Sequence, residues 1–421
     1  MEDDSFIDPN SVRYLVFEGG GGKGFAYLGA LQAFKHPDVG ILKEHYPGAG
    51  YQIDPTRIDG VAGASAGAIF AALLGCGATY KMLEDMIRNN RIINALEEDN
   101  KNEFKKFRIP YPQAYQGFRE APKNQIIGVL TQLNYVVSPR MAKIFKEMGY
   151  YNYNYVTGLV YDELYKKGPY VGKGMGVKDY YGFDSGFGLR QLLNELFAEG
   201  IMAYINAKKN DPAFDRNIKL NMADGGVVTF LDHYQVMKFP LCIASFNVQK
   251  NQLVYFNYKT APNMAIADAV RSSLSIPFAF MPVNILKDPK EPNNSANLSS
   301  RFSKEEAEKY AGLWIDGGVR ANLPVEAFDS FDKDAKKKML LLRFMSDTYA
   351  TYQHFGSYFF NQIMLMISST STLYVQKHKL EKRVIKLFVG NLSTMEFEAV
   401  WKEVDELASK NSAWILNRFQ I

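Results

Sequence analysis

The chain opens its pattern with a four-residue apolar run, Tyr14-Leu-Val-Phe17, whose β-branched and aromatic character predicts a strand. A glycine-rich stretch, Glu18-Gly-Gly-Gly-Gly-Lys-Gly24, follows it, and from Phe25 to Phe34 apolar residues recur at helical spacing. The same order returns at Ile58 to Ala62, a second short strand that runs into Gly63-Ala-Ser-Ala-Gly67 and another helix. Two strand–turn–helix units in series predict a parallel sheet covered by helices. Val61 to Ala78 carries no charge, yet it holds Gly63, Gly67, Gly75 and Gly77 and follows closely on Arg57 and Asp59. It reads as a buried helix in an α/β core rather than a membrane span.

Residues 98–185 have a different texture, dense in tyrosine from Tyr111 to Tyr181, with weak helical periodicity outside Ser138 to Met148. They read as an insertion on the core. The amphipathic tyrosine ring suits a lid or lipid-facing surface, and a structural loop packed on the core accounts for the pattern equally. Beyond them the pattern predicts a helix from Gly188 to Ala207, a strand at Leu241 to Asn247 and its hairpin partner at Gln252 to Tyr258. A helix near Met264 to Ser273 comes next. Residues 286–306 are polar and rich in Pro, Asn and Ser, the composition of a surface loop. Strands are expected at Gly312 to Ile315, Met339 to Phe344 and Val384 to Val389, then a last helix opened by Ser393-Thr-Met-Glu396, a capping-box spacing. Because strands continue almost to the end, one domain over residues 12–421 is expected.

Composition narrows the chemistry. With 421 residues and 47% hydrophobic content the chain can bury a core without disulfides or structural metal. Its two cysteines, Cys76 and Cys242, sit in apolar surroundings and read as buried free thiols in a reducing compartment. Five scattered histidines offer no metal-ligand spacing, so neither metal nor cofactor is expected. The acidic N-terminal segment lacks the basic and apolar regions of a secretory signal, which points to the cytoplasm. A net charge of +4 suits an anionic lipid surface but is too diffuse for nucleic acid. The basic runs Lys336–Lys338 and Lys377–Arg383 read as solvated faces, and Tyr358–Ile367 as a core helix.

Gly63-Ala64-Ser65-Ala66-Gly67 fits G-x-S-x-G, the sharp strand-to-helix turn that exposes a serine hydroxyl at a helix N-terminus. Gly19 to Gly24 can be read in three ways. It fails as a P-loop, because Lys23 is followed by Gly24 rather than Ser or Thr. Gly19-x-Gly21-x-x-Gly24 matches a dinucleotide fingerprint formally, but the next strand ends in Ser65 rather than in an acidic residue. As an oxyanion hole, Gly19, Gly20, Gly21, Gly22, Lys23 and Gly24 would offer backbone N–H groups unobstructed by side chains.

A serine nucleophile needs a base. Only His354 and His378 fall late enough for a Ser-His-Asp hydrolase, and both sit in ordinary helical or charged surroundings. Asp316 ends the apolar run Leu313-Trp-Ile and is followed by Gly317-Gly318. A carboxylate there can accept the serine proton directly if burial raises its basicity. Asp224-Gly225-Gly226 is a decoy with no strand before it.

Taken together, Gly19-Gly-Gly-x-Lys-Gly24, Gly63-x-Ser65-x-Gly67 and Asp316-Gly-Gly318 resemble, in order and spacing, the patatin-like phospholipases. Ile58 to Ala68, Val228-Thr-Phe-Leu231, Ala267 to Ser273 with Ile276-Pro277, and Asn322-Leu-Pro324 extend the resemblance. It implies an α/β fold, a three-layer α/β/α sandwich on a mainly parallel central sheet. It also implies a Ser65–Asp316 dyad, an oxyanion hole in the glycine loop and fatty-acyl ester cleavage in membrane phospholipid or lysophospholipid at a membrane surface. Several members of that family stay quiet until a partner or small molecule engages them. Glu18 departs from many members and should not touch the chemistry.

Overall fold

The computed structural model describes residues 6–92, 94–95, 182–184, 186–215, 218, 220, 227–280, 282–287, 302–345, 370–390, 392 and 401–421. The bulk of the tyrosine-rich insertion, the decoy Asp224-Gly225-Gly226, His354, Tyr358–Ile367 and the Ser393 capping box lie outside them.

In the N-terminal part β1 (Tyr14–Phe17) leads through a 3-10 turn (Gly21–Ala26) into α1 (Tyr27–Phe34). A hairpin of β2 (Leu42–Glu44) and β3 (Tyr51–Ile53) precedes β4 (Gly60–Gly63), α2 (Ala66–Gly75) and α3 (Tyr80–Arg88). The end of the insertion holds β5 (Gly182–Asp184), and after it come α4 (Phe187–Lys208), α5 (Phe230–Met237), β6 (Leu241–Asn247), β7 (Gln252–Phe256) and α6 (Ile266–Ser273). The remainder holds β8 (Phe278–Phe280), β9 (Val283–Ile285), α7 (Lys304–Tyr310), β10 (Gly312–Asp316), α8 (Gly318–Ala321), β11 (Met339–Met345), β12 (Val384–Phe388) and α9 (Trp401–Arg418).

The main sheet runs in the order β12-β11-β1-β4-β6-β10-β9, with β7 also on β6. The contacts from β12 through β6 are parallel, and those of β7, β10 and β9 are antiparallel. β1, β4 and β6 are buried at every residue. That is why they appear in the sequence as unbroken apolar runs rather than as alternation. All ten residues of α2 are buried too, so the uncharged stretch after Val61 is core helix.

Three elements escaped the pattern because their signal is local capping, not a long apolar stripe. α3 buries Leu83, Met86 and Ile87 and is opened by Thr79, whose hydroxyl accepts the Met82 N–H at 3.1 Å. Capping boxes open α5 (Thr229 with Asp232) and α7 (Ser303 with Glu306). The last of these puts helix at residues 304–306, which the polar composition had marked as loop. The helix expected from Phe25 starts instead as a 3-10 turn at Gly21, because the glycines tighten the chain before α1 can begin.

One edge of β6 decides where the chemistry can sit. β4 and β7 both pair with Ile243, and β10 and β7 both pair with residues 245–247. Each pair must therefore occupy opposite edges, which leaves β4 and β10 end to end on the same edge of β6. β4 runs parallel to β6 and β10 runs antiparallel, so their C-terminal ends meet head to head beside Ala244. Gly63 and Asp316 close those two strands.

The C-terminal part completes the other side. α9 packs on α1, where a Cβ at Gly29 would lie 2.5 Å from Asn411 Cβ. The Asn411 carboxamide takes both the N–H and the C=O of Phe388, at 2.7 and 2.9 Å, and so covers part of the β12 edge.

Candidate active site

Ser65 has φ +50° and ψ −130°, a strained conformation for a non-glycine residue, and serves as the N-cap of α2. Two glycines make this elbow possible. A Cβ at Gly63 would lie 2.2 Å from Gly67 O, and a Cβ at Gly67 would lie 2.4 Å from Phe17 O, so α2 presses directly on the end of β1. The Ser65 N–H donates to Ser273 Oγ at 2.9 Å, which ties the elbow to the C-terminal end of α6.

Asp316 is 4% exposed. Its carboxylate accepts a hydrogen bond from the Ser65 side chain and another from the Gly318 N–H at 2.6 Å. Burial pushes the carboxyl up to about 7, and those two bonds hold it from rising further. The Asp316 N–H donates to Ser275 O at 2.9 Å, and Ser275 Oγ receives Arg271 at 2.7 Å. Gly317 allows the turn, since a Cβ there would lie 2.2 Å from Ala244 O. Thus the serine and the carboxylate, 251 positions apart in sequence, are both fastened to the turn that ends α6.

The glycine loop lies against this pair. A Cβ at Gly19 would be 2.9 Å from Ser65 Cβ and 2.4 Å from Asn322 Oδ1, and one at Gly24 would be 3.2 Å from the Phe70 ring. At Gly20 it would be 2.5 Å from the Phe344 ring. Gly21 has φ +57° and opens the 3-10 turn. Like Gly22, it has an amide at a helix start, where no intrahelical carbonyl can reach it. The Gly19 N–H donates to Asn322 O at 2.9 Å, and Asn322 Nδ2 donates to Gly19 O at 3.1 Å.

Glu18, the departure from many family members, is engaged on β11 rather than on the Ser65–Asp316 pair. Its carboxylate is 3% exposed, accepts the Phe344 N–H at 2.9 Å and lies 3.4 Å from the Arg343 guanidinium. Burial raises its pKa, while Arg343, the Phe344 amide and Lys23 oppose the rise. Burial lowers the Lys23 pKa, and Glu18 counters it. The residue before the glycines is therefore the loop's anchor on β11.

The sequence singled out Ser65, Asp316 and all the glycines of the three turns, and the fold brings them together. It missed Ser273, Ser275 and Asn322 as supports. Their signal was present as polar residues inside stretches that the apolar pattern buries, such as Arg271-Ser-Ser-Leu-Ser275. His378 is engaged elsewhere, its Nε2 lying 3.1 Å from Glu326 Oε1. Lys336, Lys337 and Lys338 pair with Asp329, Asp334 and Asp332, as expected of a solvated face. Cys76 and Cys242 are buried free thiols. Among the described residues no helix is long and apolar enough to cross a membrane.

The sequence profile of the patatin-like phospholipases matches residues 15–329, which hold all three turns. The chain belongs to this family. Its sheet, mainly parallel and flanked by helices, is the patatin-like architecture. The match ends before β11, β12 and α9, so the strand that anchors Glu18 lies beyond it. A stretch of 150 residues is 27% identical to the "Probable lipid hydrolase 463L" of Invertebrate iridescent virus 6, covering 35% of this chain and 43% of the viral protein. Among solved structures, VipD from Legionella pneumophila aligns at a TM-score of 0.45 and 16% identity, over 97% of this chain and 67% of VipD. ExoU, in its heterodimeric complex with SpcU from the type III secretion system of Pseudomonas aeruginosa, aligns at 0.44 and 16%, over 98% of this chain and 53% of that one. The chain thus spans about half of ExoU, and the aligned stretch less than half of the viral protein.

Proposed function

We propose that this patatin-like chain is a lipid acyl hydrolase of the phospholipase A or lysophospholipase type, working through a Ser65–Asp316 dyad. The observation that carries the reading is a buried carboxyl, raised to about 7, hydrogen-bonded to a serine on a strained elbow. A base of that strength can take the serine proton near neutral pH, where an ordinary aspartate is too weak. Ser65 Oγ attacks the ester carbonyl as Asp316 accepts its proton. The tetrahedral oxyanion is held by amides of Gly20 to Gly22, aided by the N-terminal end of α2. Collapse expels the lysolipid alcohol, which takes the proton from Asp316, and leaves an acyl-Ser65. Asp316 then deprotonates a water that attacks the acyl carbon, and the fatty acid leaves as Ser65 recovers its proton.

The family match supports the substrate class, because patatin-like phospholipases are named for it. The chain's own site adds the base and the elbow. Peripheral action at a membrane surface, inside the cytoplasm, is part of the same proposal.

The test is fluorophosphonate labelling of wild type, Ser65→Ala and Asp316→Asn, with fatty-acid release measured on mixed phospholipid vesicles. Label and release are expected on the wild type and absent from both variants. Label that survives in Asp316→Asn would move the base to another residue, and label with no acid release from any lipid would move the substrate outside lipids.

A further inference from the structure

We infer that Asn322 is a positioning residue that sets the glycine loop against the Ser65–Asp316 pair and aims the Gly20 amide at the developing oxyanion. The inference rests on the dyad reading above and names what holds its oxyanion site in register.

Asn322 grips one loop residue from both sides. Its backbone carbonyl accepts the Gly19 N–H at 2.9 Å, and its side-chain Nδ2 donates to the Gly19 carbonyl at 3.1 Å. The carboxamide cannot turn freely, because it is 6% exposed and wedged between two glycines. A Cβ at Gly19 would lie 2.4 Å from its Oδ1, and a Cβ at Gly318 would lie 2.6 Å from the same atom. One of those glycines opens the oxyanion loop, and the other donates its N–H to Asp316.

The peptide geometry supplies the direction. Peptide bonds here are trans, so a carbonyl and the N–H of the next residue point to opposite sides of the chain. Tyr27 OH donates to the Glu18 carbonyl, and the Gly19 N–H accordingly points the other way, to Asn322 O. At the next peptide the Gly19 carbonyl is drawn onto Asn322 Nδ2, so the Gly20 N–H is turned away from Asn322. Among the described residues no carbonyl or side chain accepts that N–H. The loop at this point runs along Ser65, close enough that a Cβ at Gly19 would lie 2.9 Å from the serine Cβ. A donor kept unsatisfied beside a nucleophile is what an oxyanion site requires.

Position in the chain makes Asn322 suited to this. It directly follows α8, the short helix that starts at Gly318, two residues after Asp316. A shift of the acid turn therefore carries the oxyanion loop with it, and base and amide keep their spacing.

The experiment uses Asn322→Leu, which keeps the side chain's size but removes the donor, and Asn322→Ser, a smaller polar replacement that guards against misfolding from a bulky branch. The backbone bond from Gly19 survives in both. Each variant and the wild type are titrated to completion with fluorophosphonate to count active sites. kcat and KM are measured on a soluble p-nitrophenyl acyl ester, and inhibition by an alkyl trifluoromethyl ketone, which binds as a tetrahedral oxyanion, is compared with binding of the matching unreactive ether. The expected result is full labelling at the endpoint, kcat per active site lower by about 100-fold, the order found on losing one oxyanion donor, and KM within about threefold. Affinity for the ketone should fall with kcat while ether binding stays at the wild-type level. Wild-type kcat and ketone affinity per labelled site in both variants would overturn the inference and leave Asn322 a purely structural residue. A wild type that neither labels nor hydrolyses would instead overturn the dyad reading, and this inference with it.

Discussion

The serine elbow and the glycine loop do related work and are held in opposite ways. The elbow is fixed by exclusion: backbone meets backbone at Gly63, Gly67 and Phe17, with no space for a single extra carbon. The glycine loop is fixed by polar attachments, with Glu18 on Arg343 and the Phe344 amide, and Gly19 on Asn322. Steric exclusion here needs the small residues Gly63 and Gly67, close together in sequence, against the end of β1 about 50 positions earlier. Polar attachment needs partners that the chain supplies about 300 positions later. The elbow should therefore fail all at once, and the loop by degrees.

The largest effect should come from Gly63→Ala. Its Cβ would sit 2.2 Å from Gly67 O, a backbone atom inside a fully buried helix, so neither side can yield. Loss of soluble folded protein is expected, and a normal thermal transition would break the exclusion argument.

Asp316→Asn should act in the other direction. Unfolded, this carboxyl titrates near its ordinary 3.8, and folded near 7, so between those values the native state binds more protons. Its burial costs no stability at low pH, costs progressively more as pH rises from 4 to 7, and costs the full amount above that. The variant should gain stability at pH 8, by up to about 4 kcal/mol at 1.4 kcal/mol per pKa unit, and little at pH 4, read from denaturant melts at both. The wild type should show kcat/KM rising about tenfold per pH unit below about 7 and flat above it. A profile flat down to pH 5 would contradict Asp316 as the base.

Arg343→Met tests the loop. It leaves Glu18 buried without its guanidinium, at a cost of about 2 kcal/mol, below the range for fully buried pairs because Arg343 is partly exposed. Glu18→Gln in the same chain should recover most of that, since a neutral amide has no charge to desolvate. No recovery would mean that Arg343 acts through contacts other than Glu18, such as its bond to Thr372 Oγ1 at 2.6 Å. The smallest effect is expected from Ser245→Ala, which removes a hydroxyl that donates to Ile315 O at 3.1 Å beside the acid strand. About 1 kcal/mol should be lost with labelling intact.

The same contrast explains what could be read from the chain. Gly63-x-Ser65-x-Gly67 was legible because strain, small neighbours and the following helix all lie within a dozen residues. Asp316 was legible because an apolar strand ended in Asp-Gly-Gly. α3, α5 and α7 were not, since short capped helices with one or two buried turns leave little periodicity. Glu18 appeared incidental because the β11 partners of its carboxylate, Arg343 and the Phe344 amide, lie more than 300 positions away in sequence.

The sequence by itself determined which groups are candidates for the chemistry and which local turns present them, because nucleophile elbows and acid turns are made of adjacent residues obeying backbone sterics. Only the tertiary structure decided that the two meet. β4 and β10 share one edge of β6 and run toward each other, and that antiparallel register is a long-range pairing which no local pattern encodes. The same holds for the basicity of Asp316, since desolvation belongs to the packed interior and not to the residue.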